Sequence, residues 1–434
     1  MIKIAVVILI SLIPAVCRSA ETRVLTLEQA ISIAMEKNRD IEKAREYAHT
    51  VQGKYVEERA AALPQLSLNG SAQLSKDASQ EIGGYPAQRQ YVRTVDLTLS
   101  QPLYTWGKLN AAIRAAEVGL KTADEQLRLY RQAAYRDVVA AYYDIQLAKA
   151  LFTLAQENRA QKQRHLDEAK RKFAEGVATD YDVLAAEVAV QNAQPEVIRS
   201  GNSVRMARER LRFLLALGAE EVDVAGSLDT PATTRAMPAS YDEAVQTAGK
   251  RRPELADLRL RLGIYDELVT IAAAEDKPRL DLRGGVGWHW ANMNDPGPAL
   301  EADGAAWNVG LFVTFPFFDG LRTSGKVTQA RSDLRTKQIE EAKLLESIAL
   351  DVHQAEFAYH EAAEIVTALS GTVKQAERLV RMAEKGYEFG VKIRLEVDDA
   401  QLNLLQARSN LAKGHRDYNV ATVNYLWAIG VAGE

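Results

Sequence analysis

One unit is written twice in this chain, 214 residues apart. Pro64-Gln65-Leu66 recurs as Pro278-Arg279-Leu280, Glu28-Gln29-Ala30 as Asp242-Glu243-Ala244, Pro102-Leu103 as Pro316-Phe317, and Gly176-Val177 as Gly390-Val391. A constant shift across four landmarks leaves no room for insertions, so each half must build the same supersecondary unit. In each copy a long helical stretch comes first, then two strand-like segments, then a very long helical stretch. The spacing sets repeat 1 over 20–218 and repeat 2 over 241–434. A linker over 219–240, with Pro231 and Pro238, joins them and loses the helical pattern.

The long stretches carry a period near 3.5. Leu109, Ile113, Ala116, Leu120, Ala123, Leu127, Tyr130, Ala134, Val138, Ala141 and Ile145 form one stripe. Leu345, Ile348, Val352, Ala355, Tyr359, Ala362 and Val366 form its counterpart. Steps of three and four belong to helices packed side by side, and the many alanines let neighbours approach closely. A helix from Gly107 to Ala174 would run roughly 100 Å, as would one from Leu321 to Glu388. A structural coiled coil fits this stripe equally well.

The strand-like segments, expected near 66–76, 92–103, 279–290 and 306–315, narrow the choice. Leu66, Leu68, Gly70, Ala72 and Leu74 alternate with Ser67, Asn69, Ser71, Gln73 and Ser75. Val95, Leu97 and Leu99 alternate with Asp96, Thr98 and Ser100. In repeat 2, Leu280, Leu282, Val286, Trp288 and Trp290 alternate with Asp281, Arg283, Gly285, Gly287 and His289. Trp307, Val309, Leu311 and Val313 follow, with Phe312 breaking the polar face. Runs of about ten residues, apolar on one face and polar on the other, suit strands with lipid outside and water inside. A soluble sandwich is the other reading. Lys76–Arg93 and Ala291–Ala305, with Gly83-Gly84, Pro86, Pro296, Gly297 and Pro298, read as exposed hairpin loops. Tyr104, Trp106, Phe317 and Phe318 sit where strands hand over to helices, with Trp288 and Trp290 at the far end. They suit membrane-interface belts, or else cap a core at the same junctions.

Four strands cannot close a barrel, and lipid does not tolerate open sheet edges. Three copies would supply a twelve-stranded transmembrane β-barrel, and the same threefold would set the helices side by side as an α-helical barrel. The expected fold is therefore mainly α with membrane β.

Lys3, an apolar run from Ile4 to Val16 and small residues to Ala20 read as a signal peptide over 1–19, too short to span a bilayer. Cleavage is expected near Ser19 or Ala20. Cys17, the one cysteine, is the alternative as a lipid-attachment site, although Pro14-Ala15-Val16 is a poor lead-in. A net charge of −4 with no dominant basic face argues against nucleic acid.

The turns around Gly176 and Gly390 are the most specific element. Lys172-Phe173-Ala174-Glu175-Gly176-Val177-Ala178-Thr179-Asp180 is echoed by Gly386-Tyr387-Glu388-Phe389-Gly390-Val391-Lys392-Ile393-Arg394. Glycine supplies the left-handed residue that stops one helix, and Thr179 or Asp180 can cap the next. With these turns and the Pro102–Lys108 handover, Pro-Leu-Tyr-Thr-Trp-Gly-Lys, the chain resembles the TolC family of outer-membrane efflux and secretion channels over its whole mature length. That resemblance implies a homotrimer reaching from the outer membrane into the periplasm. Its expected partners are a periplasmic adaptor (membrane fusion protein) docked on the tip turns Gly176, Val177, Gly390 and Val391, and an inner-membrane RND or ABC transporter. It also implies a gate linked through Asp182, Tyr387 and Lys392, with lysine where arginine is expected, and pore-facing acidic rings at Glu396 and Asp399. Read without it, Glu396 and Asp399 are solvated acids at a helix start, favoured there by the helix dipole. Asp398 is expected to face a neighbouring helix or solvent, and Pro195 to kink or interrupt its helix.

Catalytic motifs are lacking: there is no phosphate-binding Gly-Lys-Ser/Thr loop, no Gly-x-Ser-x-Gly and no His-Glu-x-x-His. His353 and His360 alone do not make a metal site. No enzyme activity, cofactor or metal is expected. The leading expectation is the exit duct of a tripartite efflux pump, and the alternative is the duct of a type I protein-secretion system. A periplasmic coiled-coil adaptor or scaffold is the reading from another class, and the paired amphipathic strands count against it.

Overall fold

The computed structural model describes residues 23–76, 89–294 and 300–433. The signal segment with Cys17 and the glycine- and proline-bearing loop tips lie outside the described residues. The element order is β1 (Arg23–Leu25), α1 (Leu27–Lys37), α2 (Arg39–Ala60), β2 (Gln65–Lys76), β3 (Arg89–Tyr104), α3 (Lys108–Ala174) and α4 (Asp180–Leu214). It continues with β4 (Val222–Val224), α5 (Tyr241–Arg251), α6 (Pro253–Ala273), β5 (Arg279–Asn294), β6 (Leu300–Thr314), α7 (Arg322–Glu388) and α8 (Arg394–Ala428). The shift of 214 carries α1 onto α5, α3 onto α7 and α4 onto α8 at both ends of each helix. Matched landmarks in the sequence thus correspond to matched helix boundaries.

The chain divides into two compact units. The first comprises Met1–Ile41, Arg131–Tyr241 and Val352–Glu434. Its core packs Ala30 and Ala34 of α1 with Val138, Val139, Ala141, Tyr143 and Ile145 of α3 and Leu211 of α4. α3 is long and apolar enough to cross a membrane by composition, yet half of that window is buried in protein, so its stripe is helix-packing surface. β4 lies in the linker and pairs in parallel with β1, Arg23 facing Val222 and Leu25 facing Val224. Side chains of the helices pin the rest of the linker. The Tyr143 hydroxyl donates to the Thr230 carbonyl at 2.9 Å, and the buried Asn419 donates to Leu228 and accepts from the Ala232 N–H. Pro195 does not interrupt α4. The carbonyl deprived of a partner there is that of Gln191, on an exposed stretch where water can satisfy it.

The second unit, Glu42–Tyr130 and Asp242–Asp351, holds a four-stranded antiparallel sheet in the order β2-β3-β5-β6. Repeat 1 thus joins repeat 2 through the β3–β5 ladder, where Leu97 faces Val286 and Val95 faces Trp288. The strands outrun their alternating segments: β3 starts at Arg89, β5 continues to Asn294, and β6 starts at Leu300 and stops at Thr314. Ladder bonds are made by the backbone, so pairing with β3 continues through Ala291 to Asn294 after the side-chain pattern has ended.

Candidate functional site

Both tip turns have the same backbone construction. Gly176 has φ +75° and Gly390 φ +70°, the left-handed region open to glycine. The Gly176 N–H donates to Phe173 and the Val177 N–H to Lys172; the Gly390 N–H donates to Tyr387 and the Val391 N–H to Gly386. These are paired Schellman bonds, and they satisfy carbonyls that the ending helix leaves without partners. Val177 and Val391 are 76% and 80% exposed at the turns, with Tyr181, Phe389 and Ile393 also exposed nearby. The outgoing helices begin differently. Thr179 caps α4 by accepting from the Asp182 N–H, while Asp182 accepts from the Thr179 N–H and hydroxyl. Those bonds to Thr179 hold the Asp182 carboxyl below its usual range. At the equivalent place Glu396 accepts from the Ile393 N–H at 3.0 Å, but isoleucine has no acceptor to return, so only half of the capping box forms.

An ion network ties the tip of repeat 1 to that of repeat 2. Lys172 pairs with Glu168 at 2.8 Å and donates to the Tyr387 hydroxyl at 3.2 Å. Its ammonium also lies 5.2 Å from the Tyr387 ring centroid. The Arg394 guanidinium stands 5.7 Å from the same ring and reaches Asp398 at 3.6 Å and Glu168 at 3.7 Å. Lys162 closes the circuit to Asp398 at 3.4 Å. Burial pushes the Arg394 guanidinium down, offset in part by the Asp398 charge. Glu168, Lys172, Asp182, Tyr387, Arg394 and Asp398 share the lining of a cavity of about 500 Å³.

The geometry brings Asp182 and Tyr387 to that cavity and leaves Lys392 apart. Lys392 pairs with Glu396 one turn on. This contact, with the Ile393 N–H bond, lowers the Glu396 carboxyl. Asp399 is exposed, and Asp398 faces the neighbouring helix. Sequence reasoning passed over Arg394. The signal was in the sequence: an arginine two positions past the lysine that stands where arginine was expected.

The sheet is inside out by the standards of a water-soluble protein. Along the middle of β3, Tyr91, Val95 and Leu97 are exposed, while Thr94, Asp96 and Thr98 are half-buried. Leu68 is 73% and Trp307 78% exposed, and Val286, Val309, Leu311 and Val313 share that face. On the polar face His289 bonds Asp96 at 2.8 Å. Gly287 makes this possible, since a Cβ there would fall 2.1 Å from the Asp96 carboxylate and 2.6 Å from the Val95 carbonyl. Phe312, which breaks the polar pattern, lies under the Arg283 guanidinium at 5.2 Å. Its ladder partner Asp281 is fully buried between Arg279 at 2.8 Å and Arg283 at 3.2 Å.

At the helix-side end, Tyr104 and Trp106 meet edge to face at 5.3 Å. Phe317 is 89% exposed, and Phe318 is similarly open, so neither caps a core within the chain. Trp288 and Trp290 stand 6.4 Å apart on the apolar face. Just outside the strands, Glu275 gathers Lys326 at 2.6 Å, Lys108 at 3.4 Å and Arg322 at 3.7 Å, joining the ends of α6, α3 and α7.

A family model described as outer membrane efflux protein matches residues 30–217 and again 244–430, one match per repeat. The chain is 22% identical over 383 residues to outer membrane protein TolC of Vibrio cholerae, covering 87% of this chain and 84% of that protein. It is 26% identical over 385 residues to alkaline protease secretion protein AprF of Pseudomonas aeruginosa, covering 87% and 78%. Among solved structures, the CmeC outer membrane channel of Campylobacter jejuni superposes with a TM-score of 0.79 at 17% identity, covering 94% of this chain and 86% of that one.

Proposed function

The chain belongs to the outer membrane efflux protein family, and from that premise we propose that three copies close a twelve-stranded barrel and serve as the exit duct of a tripartite efflux pump. Residence in the outer membrane and action as a channel, not an enzyme, come with the family. The observation that carries the trimer is the inverted sheet. Its apolar face needs lipid, its polar face needs water, and β2 and β6 are edges with no neighbouring strand among the described residues. Tyr104, Trp106, Phe317 and Phe318 would form the inner aromatic belt, with Trp288 and Trp290 nearer the outer one.

In this reading a periplasmic adaptor docks on the tip turns at Gly176, Val177, Gly390 and Val391. The exposed Val177 and Val391 support it, because apolar residues open to water at both tips call for a partner. The energised inner-membrane transporter, of RND or ABC type, would be the third component. The gate is assigned to Asp182, Tyr387 and Lys392, with Arg394 added through its contact with Tyr387. Opening would require the Lys172–Tyr387–Arg394 network to loosen. Glu396 and Asp399 are assigned to acidic rings around the pore. A protein-secretion duct is kept as the second reading because AprF is named for protease secretion.

The test is the native mass of the protein extracted in detergent from outer-membrane fractions. Three chain masses are expected. A monomer recovered from the soluble periplasm would remove the barrel and restore the scaffold reading.

A further inference from the structure

We propose that the outer end of the apolar face binds the phosphate of an outer-leaflet lipid headgroup, through Lys76, Arg89 and Arg93. The proposal rests on the membrane reading of the sheet. In the β2–β3 ladder Lys76 lies directly opposite Arg89 at the end remote from the helices. Both belong to the face that carries Leu66, Leu68 and Leu74, and Arg93 lies on that face four positions further in, opposite Ala72 and Trp290. All three are exposed, and among the described residues none is ion-paired.

Two features of this arrangement call for an anion. Like charges placed directly opposite in an antiparallel pair repel and destabilise the ladder. Lys76 and Arg89 are such a pair, at a ladder end where a neutral pairing would have cost nothing. Arg93 adds a guanidinium to a face that carries leucine, valine and tryptophan further in, where a cation is costly towards mid-membrane and tolerated near the interface. The acid of its row, Asp303, lies two strands away on β6, across Trp290. Its side chain turns outward: the guanidinium lies over the Tyr91 ring at 4.9 Å, and Tyr91 is the next residue on that face towards the loop. The group thereby leaves the apolar band and approaches the level of Lys76 and Arg89. Three cations converge on one lipid-facing patch, with Tyr91 and Trp290 beside them to pack against a lipid's apolar part. Charge complementarity selects a phosphate, and the lipid-facing side selects one attached to a lipid.

The test uses full-length trimer in detergent, titrated with purified lipid A and read by native mass spectrometry. Wild type should retain lipid A. The K76Q/R89Q/R93Q variant should lose about 100-fold in affinity, from roughly fivefold for each of the three charges. Phosphatidylcholine should bind both proteins equally. Dephosphorylated lipid A should bind wild type as weakly as lipid A binds the variant, a comparison that needs no mutation. Equal retention of lipid A by variant and wild type, or of phosphorylated and dephosphorylated lipid by wild type, overturns the proposal. Displacement of lipid A by millimolar inorganic phosphate would make this a free-anion site and overturn the lipid assignment. Because the readout begins with oligomer mass, a trimer without selective lipid refutes this inference alone, whereas a soluble monomer refutes the membrane reading and the lipid site with it.

Discussion

Thr179 and Ile393 occupy equivalent places in the two repeats, and only one of them can accept a hydrogen bond. α4 therefore starts on a complete capping box and α8 on half of one. Ile393 is exposed, so replacing it removes no core packing. Ile393→Thr should stabilise the first turn of α8 by about 1 kcal/mol, and slow hydrogen exchange at the Glu396 amide by about fivefold. Unchanged exchange at that amide would show that the second tip is held by something other than its cap. The sequence was legible here for residues whose partners are local, such as Gly176, Thr179 and Gly390. It was not legible where the partner is distant in the chain. Arg394 meets Glu168 and Phe312 meets Arg283 only after folding, and no periodicity announces either contact.

At the scale of elements, Glu275 is a junction: one carboxylate at the end of α6 holds cations from the first turns of α3 and α7. Its hydrogen bond from Lys326, reinforced by the Lys108 charge, keeps the carboxyl below its usual range. A depressed carboxyl stabilises the fold above its unfolded value of about 4.3, and this contribution disappears as pH falls through the lower folded value. Glu275→Gln should therefore cost about 1 kcal/mol at neutral pH, the scale of a networked, partly exposed ion pair. Thermal melts at pH 7 and pH 3.5 would check it: the gap to wild type should narrow on acidification. A gap of equal size at both pH values would assign the loss to packing. Helix boundaries followed directly from the repeat, because caps and left-handed glycines are short-range signals. Strand ends did not, because backbone pairing through Asn292 and Asn294 is indifferent to polarity.

For the whole molecule, the threefold symmetry of the proposed trimer would multiply whatever faces the axis. Glu396 is already paired with Lys392, while Asp399 is exposed. Of the two proposed acidic rings, Asp399 should carry more of the field in the pore. In planar bilayers Asp399→Asn should lower the preference for cations and weaken block by multivalent cations more than Glu396→Gln does. Unchanged selectivity in the double variant would sink the ring assignment.

The inverted sheet also constrains the life of the chain before it reaches its membrane. Leu66, Leu68, Val309 and Leu311 are exposed with two ladder edges beside them, and an aqueous compartment offers no cover for either. A newly exported monomer is thus an adhesive strip, able to add strands from any copy it meets in the wrong register. The same surface that would make the proposed barrel permanent makes its precursor perishable. Export of this protein requires either an escort that shields the sheet or insertion faster than encounter between copies.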